Sequence, residues 1–340
     1  MVASTTERRI FLWHMAAGPK PNEAIGKVSV TMDDTISLLE AEWTANRARV
    51  FLAKDSSRIV AEDDAKAEPK NQLYIADMRR DPKAKTVTLL INRGDPNTVS
   101  PGFIDIAAGS VRTAHPRAPE TPGWSAHMVI SLEAKDGRYR ACFEQMPKVS
   151  SSLVETALER ILETAVETNP EFTYEVSVVR KGKPKIERRR FKPVLNAARV
   201  PSENLMDDLD RGQLSAVTLS KRKRYYAGVG EADVIRFQEE KIVIHTKPAD
   251  KAKVVAALED VIQQAKGDGY EKISFHLDKL PGNQTNNPTI SLADHDALEQ
   301  LYVRAHRLDG FSTVLVQCYP TICDDIADKM VAVVNSTSVW

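Results

Sequence analysis

Two short stretches carry the residues best suited to chemistry. Arg180, Lys181, Lys183, Lys185, Arg188, Arg189, Arg190 and Lys192 lie within thirteen positions that hold a single acid, Glu187. Further on, Lys221, Arg222, Lys223 and Arg224 run directly into Tyr225 and Tyr226. Cations gathered along a groove neutralise phosphates and release condensed counterions, which gives affinity without reading sequence. Tyrosines beside them can pack on sugar or base faces. The chain is otherwise balanced, with 47 basic and 47 acidic residues, so the concentration of charge carries the signal rather than its total. The expected ligand is duplex DNA, bound through backbone or shape, because no zinc-finger spacing and no RNA-binding aromatic signature is present. Two structural roles compete with this reading. A lysine-rich hairpin can be a solvated edge that discourages strand addition, and the acidic knot Asp207, Asp208 and Asp210 can dock on a basic cluster within the protein.

Catalytic patterns are sparse. Gly228-Val-Gly230 has no later glycine in register and reads as a turn rather than a dinucleotide loop. There is no phosphate loop and no Gly-x-Ser-x-Gly elbow. A metal-dependent nuclease needs clustered carboxylates near a lysine. Asp207, Asp208 and Asp210 sit in a loop-like context, and Glu239, Glu240 and Lys241 occupy an expected hairpin turn. Of the scattered histidines, His127, His245 and His276 fall in strands and read as structural. Cys142, Cys318 and Cys323 show no disulfide or zinc framework and indicate reduced thiols. No catalytic residue, metal or cofactor is assigned. Without a signal-peptide core or an apolar run near ~20 residues, the expected setting is the cytoplasm.

The elements that must carry these residues centre on 125–166. His127–Glu133 and Arg138–Glu144 form a hairpin about Asp136-Gly137. Its second strand places Tyr139, Ala141 and Phe143 on one face and Arg138, Arg140 and Cys142 on the other. Ser152 and Glu155 have capping-box spacing, and Val154, Leu158, Ile161, Leu162 and Ala165 follow as a helical stripe, with Glu155, Glu159 and Glu163 largely off it. Before this come strands at Arg9–Met15, Lys27–Met32, Arg49–Ala53, Arg58–Ala61, Gln72–Asp77, Thr86–Asn92 and Phe103–Thr113. Gly18–Pro21 reads as a turn, 63–71 as an exposed loop, and Asp33 or Asp34 as the cap of a helix bearing Ile36, Leu39 and Trp43. Beyond it, Phe172–Val179 pairs with Lys185–Phe191, and Ala232–Phe237 with Lys241–Thr246. Helices follow at 249–264, 293–307 and 322–335, with strands at Lys272–Leu277 and Val314–Cys318. The expected fold class is α+β: two mostly antiparallel sheet domains, each packed with helices, at 1–166 and 167–340, the second carrying the basic clusters.

The order of these elements resembles the RexA-like phage-exclusion (abortive-infection) proteins, including the RexA-like domains of KwaB antiphage defence proteins. The strings that carry the resemblance are Gln72–Asp77 with Thr86–Asn92, the hairpin and capped helix from His127 to Leu162, Lys241–Lys247 running into Ala252–Ala256, and Lys272–Leu277. The present chain has additional residues before Ile10 and between 193 and 230. The resemblance implies a dimeric two-domain protein that binds duplex DNA with little sequence preference and senses infection, with a separate membrane-protein partner. It transfers no individual contact residue; the basic positions are read from this chain alone. The expected function is therefore a non-enzymatic, sequence-independent DNA-binding effector or sensor of superinfection exclusion or antiviral defence, acting as a homodimer. A nuclease effector in the same role and a scaffold for an acidic protein partner are the alternatives.

Overall fold

The computed structural model describes residues 4–200, 214–221, 240–245, 257, 260–291 and 303–340, less positions 55, 56, 65, 99, 100, 136, 168, 181, 182, 266, 271, 281–283, 287 and 288. In chain order the first part comprises β1 (Arg8–Lys20), a 3-10 turn (Asn22–Ala24), α1 (Met32–Thr44), β2 (Arg49–Ala53), β3 (Ile59–Val60), β4 (Ala67–Asp81), β5 (Thr86–Gly94), β6 (Gly102–Asp105), β7 (Ser110–Thr113), β8 (Gly123–Lys135), β9 (Arg138–Glu144) and α2 (Ser151–Glu167). Next come β10 (Thr173–Arg180), β11 (Lys183–Arg190), β12 (Lys192–Arg199), β13 (Leu214–Lys221), β14 (Glu240–His245), β15 (Lys272–Leu280), β16 (Gln284–Asn286), β17 (Thr289–Ser291), β18 (Ala305–Leu308) and α3 (Asp324–Asn335).

The described residues are mostly β, 47% strand against 21% helix, in antiparallel sheets. This corrects the expected pair of α+β domains, each packed with helices. Strand pairing has claimed residues that local patterns assign elsewhere. β4 begins at Ala67 inside the expected loop, and β1 runs through the expected Gly18–Pro21 turn. The latter is possible because Pro19 pairs with Pro193 in register, so two residues without N–H groups share one rung. Residues 305–308 form a strand where the expected helix 293–307 was to end, residues 293–302 lying outside the described residues, and Val314–Cys318 is not a strand. The expected strand at 27–32 is instead a turn with an isolated bridge at Val28, then irregular backbone up to the start of α1, whose cap is Thr31 rather than Asp33 or Asp34. Thr31 and Asp34 exchange the two bonds of a capping box. Likewise α2 is capped from Ser150, whose Oγ accepts from the Leu153 N–H at 3.4 Å, so Ser152 lies within the helix. Phe103–Thr113 is the hairpin β6–β7 rather than one strand.

The packing separates one unit of residues 1–199 with 306–340 from another of residues 200–305, rather than dividing at 166/167. The reason is visible in the pairing: β12 returns beyond α2 to pair with β1, from Trp13 opposite Arg199 to Lys20 opposite Lys192. The first unit contains a nine-stranded sheet among the described residues, in the order β12-β1-β9-β8-β5-β4-β2-β3, with β18 also on β1. All nine residues of β5 are buried, as required of a strand covered on both faces. On one face Trp13 stacks on Phe143 with centroids 5.2 Å apart, beside α1 and α2. On the other, α3 packs over β8 and β9, and Leu90 meets Ile322 and Ala327. Cys142 therefore points into a second core rather than toward solvent, and burial pushes its thiol well above the ordinary range. In the second unit, β14-β13-β15-β16 form a sheet with β17 on β15. β14 pairs with β13; its expected hairpin partner, 232–237, lies outside the described residues.

The α3 face is fastened by one buried charge network. Arg8 Nε donates to Glu144 Oε1 at 2.6 Å, and the other carboxylate oxygen accepts from the His127 backbone N–H at 2.9 Å and from Nδ1 at 2.6 Å. His127 Nε2 accepts the Cys323 N–H at 3.0 Å, and Arg8 Nη2 donates to the Val316 carbonyl at 2.8 Å. An Nε2 that accepts a backbone N–H leaves the imidazole proton on Nδ1, facing the carboxylate. Burial alone would raise the Glu144 carboxyl; His127 and Arg8 outweigh it and hold the group below its ordinary value of 4.5. A depressed folded-state value means that this stabilisation is present near neutrality and is lost as pH falls through 4.5 toward the folded value. Glu144→Ala, which strands three buried donors, should cost about 3–5 kcal/mol in denaturant unfolding. Glu144→Gln should flatten the acid limb of stability below the ordinary carboxylate value of 4.5.

Candidate nucleic-acid interface

The hairpin β10–β11 is a separate two-stranded sheet with an unbroken register from Thr173 opposite Arg190 to Arg180 opposite Lys183. A hairpin alone is marginal in water, and this one gains a small core from one face. Tyr174, Val176, Phe191 and Ala24 are buried together, with Val28, Val30, Phe172 and Val178 against them. Strand alternation then decides where each cation points. Arg189 and Lys185 share the face of Tyr174 and Val176. Arg188 and Arg190 share the opposite, solvent face with Ile186, which is 67% exposed.

The consequences differ sharply between neighbours. Arg189 is anchored: Nη1 lies 2.7 Å from Glu23 Oε2 and Nη2 lies 3.6 Å from Glu187. Glu23 also accepts from the Tyr174 hydroxyl at 3.4 Å. Burial first, then Glu23, raises the Tyr174 phenol above its ordinary value. Arg188 lies 3.6 Å from Glu175 with both side chains well exposed, an arrangement that water and salt screen readily. Lys185 and Arg190 are exposed and make no ion pair among the described residues. Arg180 and Lys183 close the hairpin opposite one another; their side chains, and the whole of Lys181, lie outside the described residues.

Lys192 belongs elsewhere, since the chain changes sheets at Phe191. From β12 it reaches back to Glu159 at 3.1 Å and Glu163 at 3.2 Å on α2. Desolvation opposes its charge, but those two carboxylates outweigh it and raise the ammonium above the usual lysine value. The signal for this was present in sequence: Glu155, Glu159 and Glu163 recur every fourth residue, an acidic stripe that binds Arg199, Lys20 and Lys192 in turn. No local signal announced Glu23, which meets Arg189 across 166 positions. In the second unit Lys221 is also engaged, 3.7 Å from Glu240 and 4.4 Å from the Tyr270 ring centroid. Arg222, Lys223, Arg224 and Tyr225 lie outside the described residues, as do Asp207, Asp208, Asp210 and Glu239. Glu240 sits at the start of β14 rather than in a turn.

Among the described residues no three His, Cys, Asp or Glu side chains converge as a metal site, and no helix is long and apolar enough to cross a membrane. No protein-family model matches the chain, and no curated protein matches it.

The Glu23 carboxylate is thus the joint between hairpin and sheet unit. In Glu23→Ala, amide exchange across β10 and β11 should accelerate while the global unfolding midpoint moves little. The Tyr174 phenol should at the same time titrate closer to its ordinary value of 10.0.

Proposed function

We propose that the protein is a non-enzymatic, sequence-independent duplex-DNA-binding effector or sensor, and that Lys185, Arg188 and Arg190 on β11 meet the phosphates. The observation that carries the reading is the solvent face of β10–β11. It presents Arg188 and Arg190 with one opposing carboxylate, Glu175, among the described residues. Lys185, also exposed, adds a cation from the other side of the strand. Phosphates can replace the exposed Glu175 as the partner of Arg188 at little cost, and each neutralised phosphate releases counterions. The role in phage exclusion or antiviral defence, the homodimer and the separate membrane-protein partner rest on the resemblance to RexA-like proteins. A dimer would double the number of hairpins on one duplex.

The interface is narrower than the run of thirteen residues suggests. Arg189 acts as an internal brace, and Lys192 and Lys221 are committed to carboxylates. Binding of random-sequence duplex, followed by anisotropy across a salt series, should weaken steeply with salt. The variant Lys185→Glu/Arg188→Glu/Arg190→Glu should lose DNA retention with little change in thermal midpoint, since exposed substitutions usually shift stability by about 0.5 kcal/mol or less each. Neutralising these residues singly to alanine should reduce the salt slope by roughly 0.9 for each phosphate left without its cation. Lys192→Ala should leave the slope unchanged. A triple variant that binds like the parent overturns the assignment, and duplex cleavage that appears with magnesium or manganese replaces it with the nuclease alternative.

A further inference from the structure

A cleft of about 430 Å³ opens in the first unit where β1 and β12 end beside α2. Its walls include Pro19, Ile25, Val194 and Leu195, and its polar lining includes Asn22 and Asn196. The volume falls within the range of small-ligand sites. Lys20 and Glu159 also line it, but they are paired at 2.8 Å, and Lys192 shares the same carboxylate. These charges compensate one another, so the cleft offers little to a strongly anionic molecule. What remains is the exposed amides of Asn22 and Asn196, in a lining whose apolar residues include Pro19, Ile25 and Val194. Each amide supplies donors and an acceptor, and neither has a hydrogen-bond partner among the described residues. A rigid, flat, uncharged ring with donors and acceptors along its edge satisfies this lining, and asparagine pairs with such edges in two-point fashion.

The cleft is physically joined to the hairpin. In a 3-10 turn residues i and i+3 eclipse. Asn22 and Ile25 accordingly line the cleft, whereas Glu23 holds Arg189 and Ala24 enters the hairpin core. Ile25, 63% exposed, has no role in that core and fits a surface for stacking. We propose that the cleft binds a single unstacked nucleobase, supplied either as a free nucleoside or as the end base of a strand held on β10–β11. The second source rests on the DNA-binding reading above.

Adenosine binding to the full chain, followed by saturation-transfer NMR, tests the cleft without DNA. Saturable binding is expected, about tenfold weaker in Asn22→Ala/Asn196→Ala and absent in Gly18→Leu. Gly18 lines the cleft, and a Cβ built there meets nothing within 4 Å, so a side chain can branch from that position. A parallel arm uses a duplex ending in a one-base 2-aminopurine overhang. Binding should change the overhang fluorescence in the parent but not in Gly18→Leu, with unchanged affinity of both for blunt duplex. Adenosine binding without duplex binding keeps the cleft and removes the hairpin reading. Duplex binding with neither adenosine binding nor an overhang response overturns the cleft and leaves the hairpin reading in place. Equal adenosine binding by Gly18→Leu also overturns it.

Discussion

A carboxylate shut away from water, Glu144, stands between a guanidinium and an imidazole, and most of the first unit is arranged to keep it satisfied. Removing such a charge from solvent costs several kcal/mol unless its lone pairs are met. Here they are met by Arg8 from β1 and by both the backbone and the ring of His127 from β8. The bonds fix the relative register of three adjacent strands at one level of the sheet. They also extend outward, because the same Arg8 and His127 grip the Val316 carbonyl and the Cys323 amide. The segment before α3 is thus tied to the sheet by polar bonds first, and its helix then closes the apolar face. Tyr319 completes the arrangement with its ring edge-on to His127 at 5.6 Å and its amide donated to Ser125.

This rigid sheet explains how a marginal hairpin becomes a stable projection. β10 and β11 form no rung with the large sheet among the described residues, and they lean on it through the 3-10 turn at 22–24. One carboxylate, Glu23, and one alanine, Ala24, supply the electrostatic and apolar halves of that attachment. Ala24 is fully buried although its neighbours on both sides are exposed. The cost is modest because the turn has only to position two side chains. The outer face of the hairpin is then left without structural duties, which is where the solvated cations lie.

Much of this was readable from local pattern. The alternation and turn of β8–β9, the apolar stripe of α2 and the pairing of β10 with β11 follow from side-chain period and glycine placement. Function was harder to read, for a geometric reason. Eight cations within thirteen residues look like one patch, but a strand sends adjacent residues to opposite faces, and the change of sheet at Phe191 sends Lys192 to α2. Arg188 and Arg189 are neighbours in sequence and different in duty. The pairing of β1 with β12 was also invisible locally, since its partners are separated by nearly the whole first unit and by two prolines that normally argue against a ladder. His127 could be read as structural from its apolar strand; that its partner would be Glu144, the last residue of the returning strand, required the register.

The order of the chain imposes a schedule on its own completion. Residues 1–199 supply eight of the nine strands and both helices of one face, yet α3 and the carbonyl and amide that finish the Glu144 network belong to 306–340. As the polypeptide leaves the ribosome, the half of the sheet bearing Leu90, Val129 and Cys142 must stay uncovered while all of 200–305 is synthesised. During that interval an apolar surface and a partly satisfied buried charge coexist, the condition in which nascent chains are most prone to associate. The connectivity therefore leaves that face open to association until residues 306–340 follow, independently of what the finished molecule binds.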